Sequence, residues 1–324
     1  MAGAPTTTRL VKAAASAGAI GFLAGGYKPA ETVAHQIAEM HRAGVSFGVN
    51  LFAPNPVSVN PADFRRYAAE IAADANEYGI DLTGTRPRED DDEWHSKIEV
   101  LLANPVPLVS FTFGLPPADV VAALQRAGSR VVVTVTNPRE AAEASEIRPD
   151  ALAVQSGDAG GHSGTFTPAT LPATPVAIGE LLRRVRGVTD LPLIAAGGIA
   201  TPERVRDVIA AGAEAVMVGT VLLRTDESGA SPAQKQAMTE RRGTVVTRAF
   251  TGRPARALRN GFAERHTAEA PLGYPALHHL TSEMRAAAAR AGDAERLNLW
   301  AGTGYASAPT GSAEHVIKTL TKLL

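Results

Sequence analysis

The stretch ALAVQSGDAGGHSG, residues 151–164, decides the fold. Its first part, Ala151 to Gln155, is a short apolar run that is typical of a buried strand. Four glycines and one histidine, His162, follow directly after that strand. The glycines would let a flat or phosphorylated ligand approach the backbone closely. Because ligands of parallel α/β proteins bind at the carboxyl ends of the strands, the stretch predicts such a protein, with a site beside His162.

Strands and helices alternate along most of the chain. Further strands are predicted at 20–23, 47–51, 108–113, 131–135, 193–196 and 215–218, and helices at 30–43, 61–77, 117–127, 138–147, 175–185 and 202–211. This alternation indicates a parallel sheet with right-handed crossovers. We therefore expect an α/β fold of the (β/α)₈ TIM-barrel type. Only seven strands can be assigned, and residues 1–4 are typical of a loop after a strand, so the first barrel strand is expected to be lacking.

The pattern changes after residue 223. Residues 1–223 are predicted to form the ligand-binding barrel, 224–298 a small, mostly helical lid or substrate domain, and 299–324 a C-terminal segment that returns to the barrel. Within the later segments we predict helices at 233–241, 284–291 and 314–324, a short strand at 244–250 and a turn at 251–256. The charge run at 88–93 is predicted to be a solvated surface loop.

Composition excludes several functional classes. The chain has 324 residues, a net charge of −1 and no cysteine. Near-neutral charge argues against nucleic acid or an anionic membrane as a partner, and the lack of cysteine excludes disulfides and thiolate chemistry. No apolar run reaches the roughly 18 residues of a membrane span. We expect a cytoplasmic monomer or homodimer that acts on a small molecule.

Two glycine turns follow consecutive strands and suggest a phosphate site. They are AAGGI at 195–199 and Met217-Val218-Gly219-Thr220. Backbone N–H groups at such turns can bind one phosphate, and the last two strands of a TIM barrel are the usual place for it. Neither a Walker-type loop nor a Gly-x-Gly-x-x-Gly fingerprint is present. The expected ligand is therefore a mononucleotide such as FMN.

Three side chains stand where strands end, and each suits a flavin site. Asn50 and Gln155 offer amide donors and acceptors for the polar edge of an isoalloxazine, although both could instead tie barrel loops together. His162 is the candidate catalytic base, because a histidine with an ordinary pKa near 6.5 can take a proton at neutral pH. No residues at metal-ligand spacing accompany His162, so no metal is expected. The other histidines, among them His278 and His279, are predicted to be structural or exposed.

These motifs together resemble the nitronate monooxygenase family. The matching stretches are MAG (1–3), GFLAGGY (21–27), FGVNLF (47–52), SFTFG (110–114), the His162 loop, AGGI (196–199), VGT (218–220), TGRPAR (251–256) and LWAG (299–302). The resemblance implies a TIM barrel that binds FMN non-covalently, with His162 as the base. Flavin contacts are predicted at Asn50, Gln155, Gly160, Gly161, Gly197, Gly198, Met217, Val218, Gly219 and Thr220. Asp158 stands where the family usually has Glu, and Ser163 where it often has Arg.

The resemblance implies FMN-dependent oxidative denitrification of alkyl nitronates, such as propionate 3-nitronate. Oxygen would be the oxidant, and a carbonyl compound and nitrite the products. Two alternatives remain open at this point. One is an NAD(P)H-dependent FMN reductase that acts on quinones or enoyl thioesters, because such relatives share the glycine–histidine loop. The other is an inactive, truncated barrel.

Overall fold

The computed structural model describes residues 1–170 and 175–324. Its strands are β1 (Gly21–Ala24), β2 (Phe47–Phe52), β3 (Leu108–Thr112), β4 (Arg130–Val135), β5 (Ala151–Gln155), β6 (Gly161–His162), β7 (Leu193–Ala196), β8 (Ala215–Met217), β9 (Thr244–Thr247) and β10 (Ala255–Leu258). Its α-helices are α1 (Thr8–Ser16), α2 (Ala30–Arg42), α3 (Pro61–Glu70), α4 (Ala72–Asn76), α5 (Trp94–Ala103), α6 (Ala118–Arg126), α7 (Pro138–Glu146), α8 (Ile178–Arg186), α9 (Pro202–Ala210), α10 (Pro232–Ala237), α11 (Gly261–His266), α12 (Ala276–Ala291) and α13 (Ala313–Leu320).

Seven parallel strands form one curled sheet, a half-barrel. Their order is β1-β2-β3-β4-β5-β7-β8, so strands that follow one another along the chain are neighbours in the sheet. Within the described residues, β1 and β8 each pair with a single strand, and the barrel is open between them. All seven predicted strands are present, and the α/β barrel class is confirmed. Every carboxyl end of this sheet therefore faces the same mouth.

The helices pack on the outside of the sheet because their apolar residues recur on one face. Helix α7 shows how the sequence sets the start of such a helix: the Asn137 side chain accepts from the Glu140 N–H, and Pro138 occupies the first turn. Val121 and Leu124 of α6 and Leu181 and Val185 of α8 are among the buried side chains that cover the sheet. The predicted helix at 61–77 is two helices, since the backbone leaves helical geometry at Ile71.

A second, antiparallel sheet connects the histidine loop to the strands at residues 244–258. Its order is β6-β10-β9, and Ala255 pairs with His162. The prediction of a turn over 251–256 was therefore wrong at its end, where Ala255 and Arg256 begin a strand. Helix α12 begins at Ala276, eight residues earlier than predicted, because Leu277 and Leu280 continue its buried face toward the N-terminus. In the part of the chain that the structure describes, no helix has the length and apolar character needed to cross a bilayer.

Candidate active site

His162 lies at the mouth of the barrel, inside a cage of aromatic rings. Its ring centre is 5.6 Å from that of Phe113, 5.9 Å from Tyr274 and 5.2 Å from Trp300. Its Nε2 atom is 2.9 Å from the Thr251 hydroxyl oxygen. Its Nδ1 atom has no hydrogen-bond partner among residues 1–170 and 175–324. One ring nitrogen is thus held by the protein, and the other is free for a ligand.

The surroundings keep the His162 imidazole neutral. Burial, followed by the charges of Arg253 and Arg285, lowers the pKa of His162 to about 3. Burial also lowers the pKa of Arg253 to about 10 and that of Arg285 to about 10, which leaves both guanidinium groups charged at neutral pH. A neutral imidazole can accept a proton, and the two cations beside it favour a negatively charged ligand.

Arg253 is fully buried and binds the loops on either side of it. Its Nε donates to the Ser163 carbonyl at 3.4 Å, and its Nη2 donates to the carbonyls of Phe113 (3.3 Å) and Thr165. Its guanidinium carbon lies 4.1 Å from the Phe113 ring centre, a cation–π contact. The Nη1 atom has no hydrogen-bond partner among the described residues. Arg253 therefore joins the end of β3 to the histidine loop, and its Nη1 group remains available to donate to a ligand.

Gln155 and Glu140 hold the histidine loop from the barrel side. The Gln155 Oε1 accepts from the Gly164 N–H at 2.7 Å, and its Nε2 donates to the His162 carbonyl at 3.2 Å. The fully buried Glu140 carboxylate accepts from the Thr165 hydroxyl at 2.6 Å and from the Phe166 N–H at 2.9 Å. Gln155, predicted as a flavin contact, is therefore at least a support of the loop that carries His162.

Asn50 lies within β2 and not at its end as predicted, because the strand continues to Phe52, and its amide is oriented by the neighbouring strand. The Nδ2 atom donates to the hydroxyls of Ser110 (2.9 Å) and Thr112 (3.1 Å). Its Oδ1 accepts no hydrogen bond from the described residues. The side chain thus presents a free acceptor, which would suit the N–H edge of a flavin.

The two predicted phosphate turns lie side by side at the ends of β7 and β8. In the first turn, Gly197 and Gly198 adopt positive φ values of 105° and 68°. The second turn begins at Met217, the last residue of β8, and continues through Val218 to Gly219 and Thr220, all of them half-buried. The N–H groups of Gly197, Gly198, Gly219 and Thr220 donate to no backbone acceptor in the described part of the chain. Half-buried donors without partners are what an anion-binding cradle requires, so these residues fit a phosphate group.

The remaining predicted glycines serve a contact between the histidine loop and the C-terminal segment. A Cβ on Gly160 would lie 2.4 Å from the Gly302 nitrogen, so only glycine allows this approach. Gly161 has a φ of 78°, and Trp300 is the nearest side chain to its missing Cβ, at 4.0 Å. Met1 also reaches the mouth, since its side chain lies 3.2 Å from the position of a Cβ on Gly219.

A cavity of about 620 Å³ lies beside this cage, over the ends of β1, β2 and β3. Phe113 and Tyr274 belong both to its wall and to the surroundings of His162. Tyr27 stacks on His278 at 4.1 Å, and its hydroxyl is 3.2 Å from that of Tyr274. Tyr27 and Phe113 have positive φ values of 64° and 86°, a strained backbone that often accompanies functional sites. The cavity thus adjoins the surroundings of His162, and aromatic side chains form the boundary between them.

Two sequence predictions change at this cavity. The 88–93 run is more than a solvated loop: Asp92 accepts from the Tyr27 N–H at 2.9 Å and pairs with the buried Lys97 at 2.8 Å. His278 and His279, predicted to be structural or exposed, line the cavity. Their position depends on helix α12 beginning at Ala276, which the sequence pattern did not indicate.

Sequence reasoning missed Thr251, Arg253 and Arg285 as site residues. Thr251 and Arg253 belong to the TGRPAR stretch, about 90 positions after His162 along the chain. The two arginines of this stretch could have indicated an anion site. A local pattern, however, does not show that β10 pairs with β6 and so brings the stretch to His162. Arg285 lies on the predicted helix at 284–291 and carried no motif.

The chain is similar to several known proteins. A family model described as nitronate monooxygenase matches residues 1–322. A probable nitronate monooxygenase of Bacillus subtilis (strain 168) is 32% identical, over 95% of this chain and 89% of the relative. One from Staphylococcus aureus (strain Newman) is 30% identical, over 99% and 91%. The crystal structure of nitroalkane oxidase from Streptomyces ansochromogenes superposes with a TM-score of 0.91 at 41% identity, covering 99% of this chain and 92% of that one.

Proposed function

The chain belongs to the nitronate monooxygenase family of oxidoreductases, which act on nitro compounds, and we propose that it oxidises alkyl nitronates with O₂ and bound FMN. The expected products are a carbonyl compound and nitrite. The observation that carries the proposal is His162, with its Nδ1 unpartnered among the described residues, beside the buried Arg253 and at the same barrel mouth as the two glycine turns.

The cradle and the amides would hold the cofactor. The N–H groups of Gly197, Gly198, Gly219 and Thr220 would bind the phosphate, and Asn50 would accept from the flavin ring. When bound, FMN would supply the redox chemistry, by taking electrons from the substrate and passing them to oxygen. We further propose that residues 224–298 act as a lid, between the barrel at 1–223 and the returning segment at 299–324.

The charges around His162 select the substrate. A nitronate is an anion, and Arg253 and Arg285 would stabilise it in a site from which aromatic rings exclude water. With a neutral nitroalkane, His162 would take the α-proton, and the two cations would stabilise the anion that forms. With a nitronate, no proton has to be removed, and His162 would only bind and orient the substrate.

The proposal is tested by mixing FMN-loaded protein with propionate 3-nitronate without oxygen and following flavin absorbance. We expect rapid loss of the oxidised flavin spectrum, and stoichiometric nitrite once air is admitted. If the flavin absorbance does not change with the nitronate but is lost on addition of NADH or NADPH, the result would contradict the proposal and favour the reductase. Protein that binds no FMN would also contradict it.

The cradle itself predicts a difference between two glycine variants. Gly197 and Gly212 have similar φ values, 105° and 99°, so alanine at either position costs about 1–2 kcal/mol of backbone strain. A Cβ on Gly197 would also lie 2.5 Å from the Ser156 hydroxyl, whereas one on Gly212 meets no atom within 4 Å. We expect Gly197→Ala to weaken FMN binding at least about tenfold (about 1.4 kcal/mol) and Gly212→Ala to leave it within about twofold.

The dissociation constants can be measured by quenching of flavin fluorescence, and the unfolding free energies by denaturant titration. Equal FMN affinities for the two variants, at similar stability, would show that Gly197 does not belong to the cofactor site.

A further inference from the structure

We propose that Thr251 is a positioning residue that holds His162 in its Nε2–H tautomer, so that Nδ1 is the atom that accepts the substrate proton. The catalytic part of this inference rests on the proposed function. The tautomer itself does not, and it can be measured without any substrate.

The hydrogen bonds of the Thr251 hydroxyl decide the tautomer. Its oxygen lies 3.2 Å from the Arg253 carbonyl, 3.4 Å from the Arg253 nitrogen and 2.9 Å from the His162 Nε2. The carbonyl can only accept, and no other donor reaches it among the described residues. The single hydroxyl hydrogen therefore points to the carbonyl, since a buried carbonyl without a donor is costly. The two lone pairs of the oxygen then accept from the Arg253 N–H and from a hydrogen on Nε2.

The backbone fixes this hydroxyl in place. Thr251 is 1% exposed, and its N–H donates to the Arg248 carbonyl at 3.1 Å. Gly252 follows with a φ of 73°, and a Cβ there would lie 2.7 Å from the backbone of Gly273, so the turn cannot shift outward. The pairing of Ala255 with His162 holds the backbone of His162 at the same level of the sheet. The buried Thr251 hydroxyl is therefore fixed opposite the histidine.

The consequence concerns the opposite ring nitrogen. In the Nε2–H tautomer, Nδ1 carries the lone pair, and it has no partner in residues 1–170 and 175–324. If the proton moved to Nδ1, the acceptor would turn toward Thr251 and away from the substrate. For metal-binding histidines, loss of the partner that orients the ring typically costs about 10- to 100-fold in affinity or activity, and we expect a loss of the same order here.

The tautomer is measured by two-bond ¹H–¹⁵N correlation NMR of FMN-loaded protein labelled at histidine nitrogen, with His162→Asn identifying the signal. We expect the wild type to show a protonated Nε2 and an unprotonated Nδ1. In Thr251→Val, both tautomers should be populated; in Thr251→Ser, the hydroxyl and the single tautomer should persist. A protonated Nδ1 in the wild type, or a Thr251→Val spectrum identical to the wild type, would overturn the inference, whatever the substrate proves to be.

Kinetics provide the second readout. Thr251→Val should lower kcat/KM for a neutral nitroalkane about 10- to 100-fold, and Thr251→Ser should restore it to within about threefold of wild type. Turnover of a nitronate, which needs no base, should change by less than about threefold. The matched control is Thr247→Val, which removes an equally buried hydroxyl that bonds to Thr267 and lies outside the site. Equal losses in both valine variants would assign Thr251 a structural role only.

Discussion

Replacement of His162 by asparagine is expected to lower turnover of neutral nitroalkanes about 10²- to 10⁴-fold while FMN remains bound. Asparagine is too short to reach the Thr251 hydroxyl, but Gln155 and the pairing with Ala255 should keep the loop in its conformation, and an amide cannot accept the α-proton. Nitronates arrive already deprotonated. Their turnover should therefore fall by a much smaller factor, which reflects only the loss of a binding contact.

Steady-state kinetics on a nitroalkane and its own nitronate measure this difference within one enzyme. Flavin content and melting temperature of the variant establish that the site is intact. His315→Asn, at an exposed position near the start of α13, is the matched control and should leave both rates unchanged. An equal loss on both substrates would remove the assignment of His162 as a base.

The depressed pKa of His162 gives this test a further consequence. Because burial and two arginines keep the imidazole neutral down to about pH 3, the wild type should show no loss of nitronate turnover attributable to His162 between pH 5 and 8. A different result would be a loss of nitronate turnover at acid pH with a midpoint near 6.5, absent in His162→Asn. It would mean that the site is far more polar than its aromatic cage implies.

The barrel could be predicted from the sequence because each of its signals is local. A buried parallel strand is an apolar run; Asn50 lies near the end of β2, Gln155 ends β5, and His162 follows β5 along the chain. Their approach to a common mouth then follows from the parallel topology alone. The turn at Gly197-Gly198 could be predicted for the same reason, because only residues that tolerate positive φ can make it.

The environment of His162 could not be predicted, because it depends on contacts between distant segments. Thr251 approaches His162 only through the pairing of β10 with β6, and Trp300 through the packing of Gly302 on the histidine loop. The charge run at 88–93 shows the same limit. Charge predicted exposure, yet Asp92 turns inward because Lys97 is buried beneath it and the strained Tyr27 offers it an N–H.

Arg253 is expected to be the most important single side chain for stability in the site. Arg253→Met keeps an apolar stem of similar length but removes every donor. The carbonyls of Ser163 and Thr165 would lose their partner, whereas Phe113 would keep a bond from the Asn55 amide at 2.6 Å. At about 1–3 kcal/mol for each buried carbonyl left without a donor, the unfolding free energy should fall by about 2–6 kcal/mol. Arg184→Met, which removes an exposed ion pair with Glu180, should cost less than about 1 kcal/mol.

The same variant should change how the protein responds to pH. In the wild type the folded-state pKa of His162 lies below its unfolded value, so its contribution makes the protein less stable as pH falls below about 6.5. Removing the Arg253 charge should raise the pKa of His162, although burial, the larger cause, persists. Because the folded-state pKa of His162 lies near 3, the difference should appear at acid pH: Arg253→Met should lose less stability than the wild type between pH 5 and pH 3, and its acid limb of kcat/KM should move toward neutral pH.

Arg253→Lys separates the two effects of the guanidinium, and it serves if the methionine variant does not fold. Lysine keeps the positive charge but cannot reach three carbonyls with one ammonium group, so stability should fall while the pKa of His162 stays low. Denaturant titrations at several pH values between 3 and 7, together with kcat/KM measured against pH, would measure both effects. If the unfolding free energy of Arg253→Met lies within about 1 kcal/mol of that of the wild type, other groups donate to these carbonyls. In that case Arg253 acts on His162 through its charge alone.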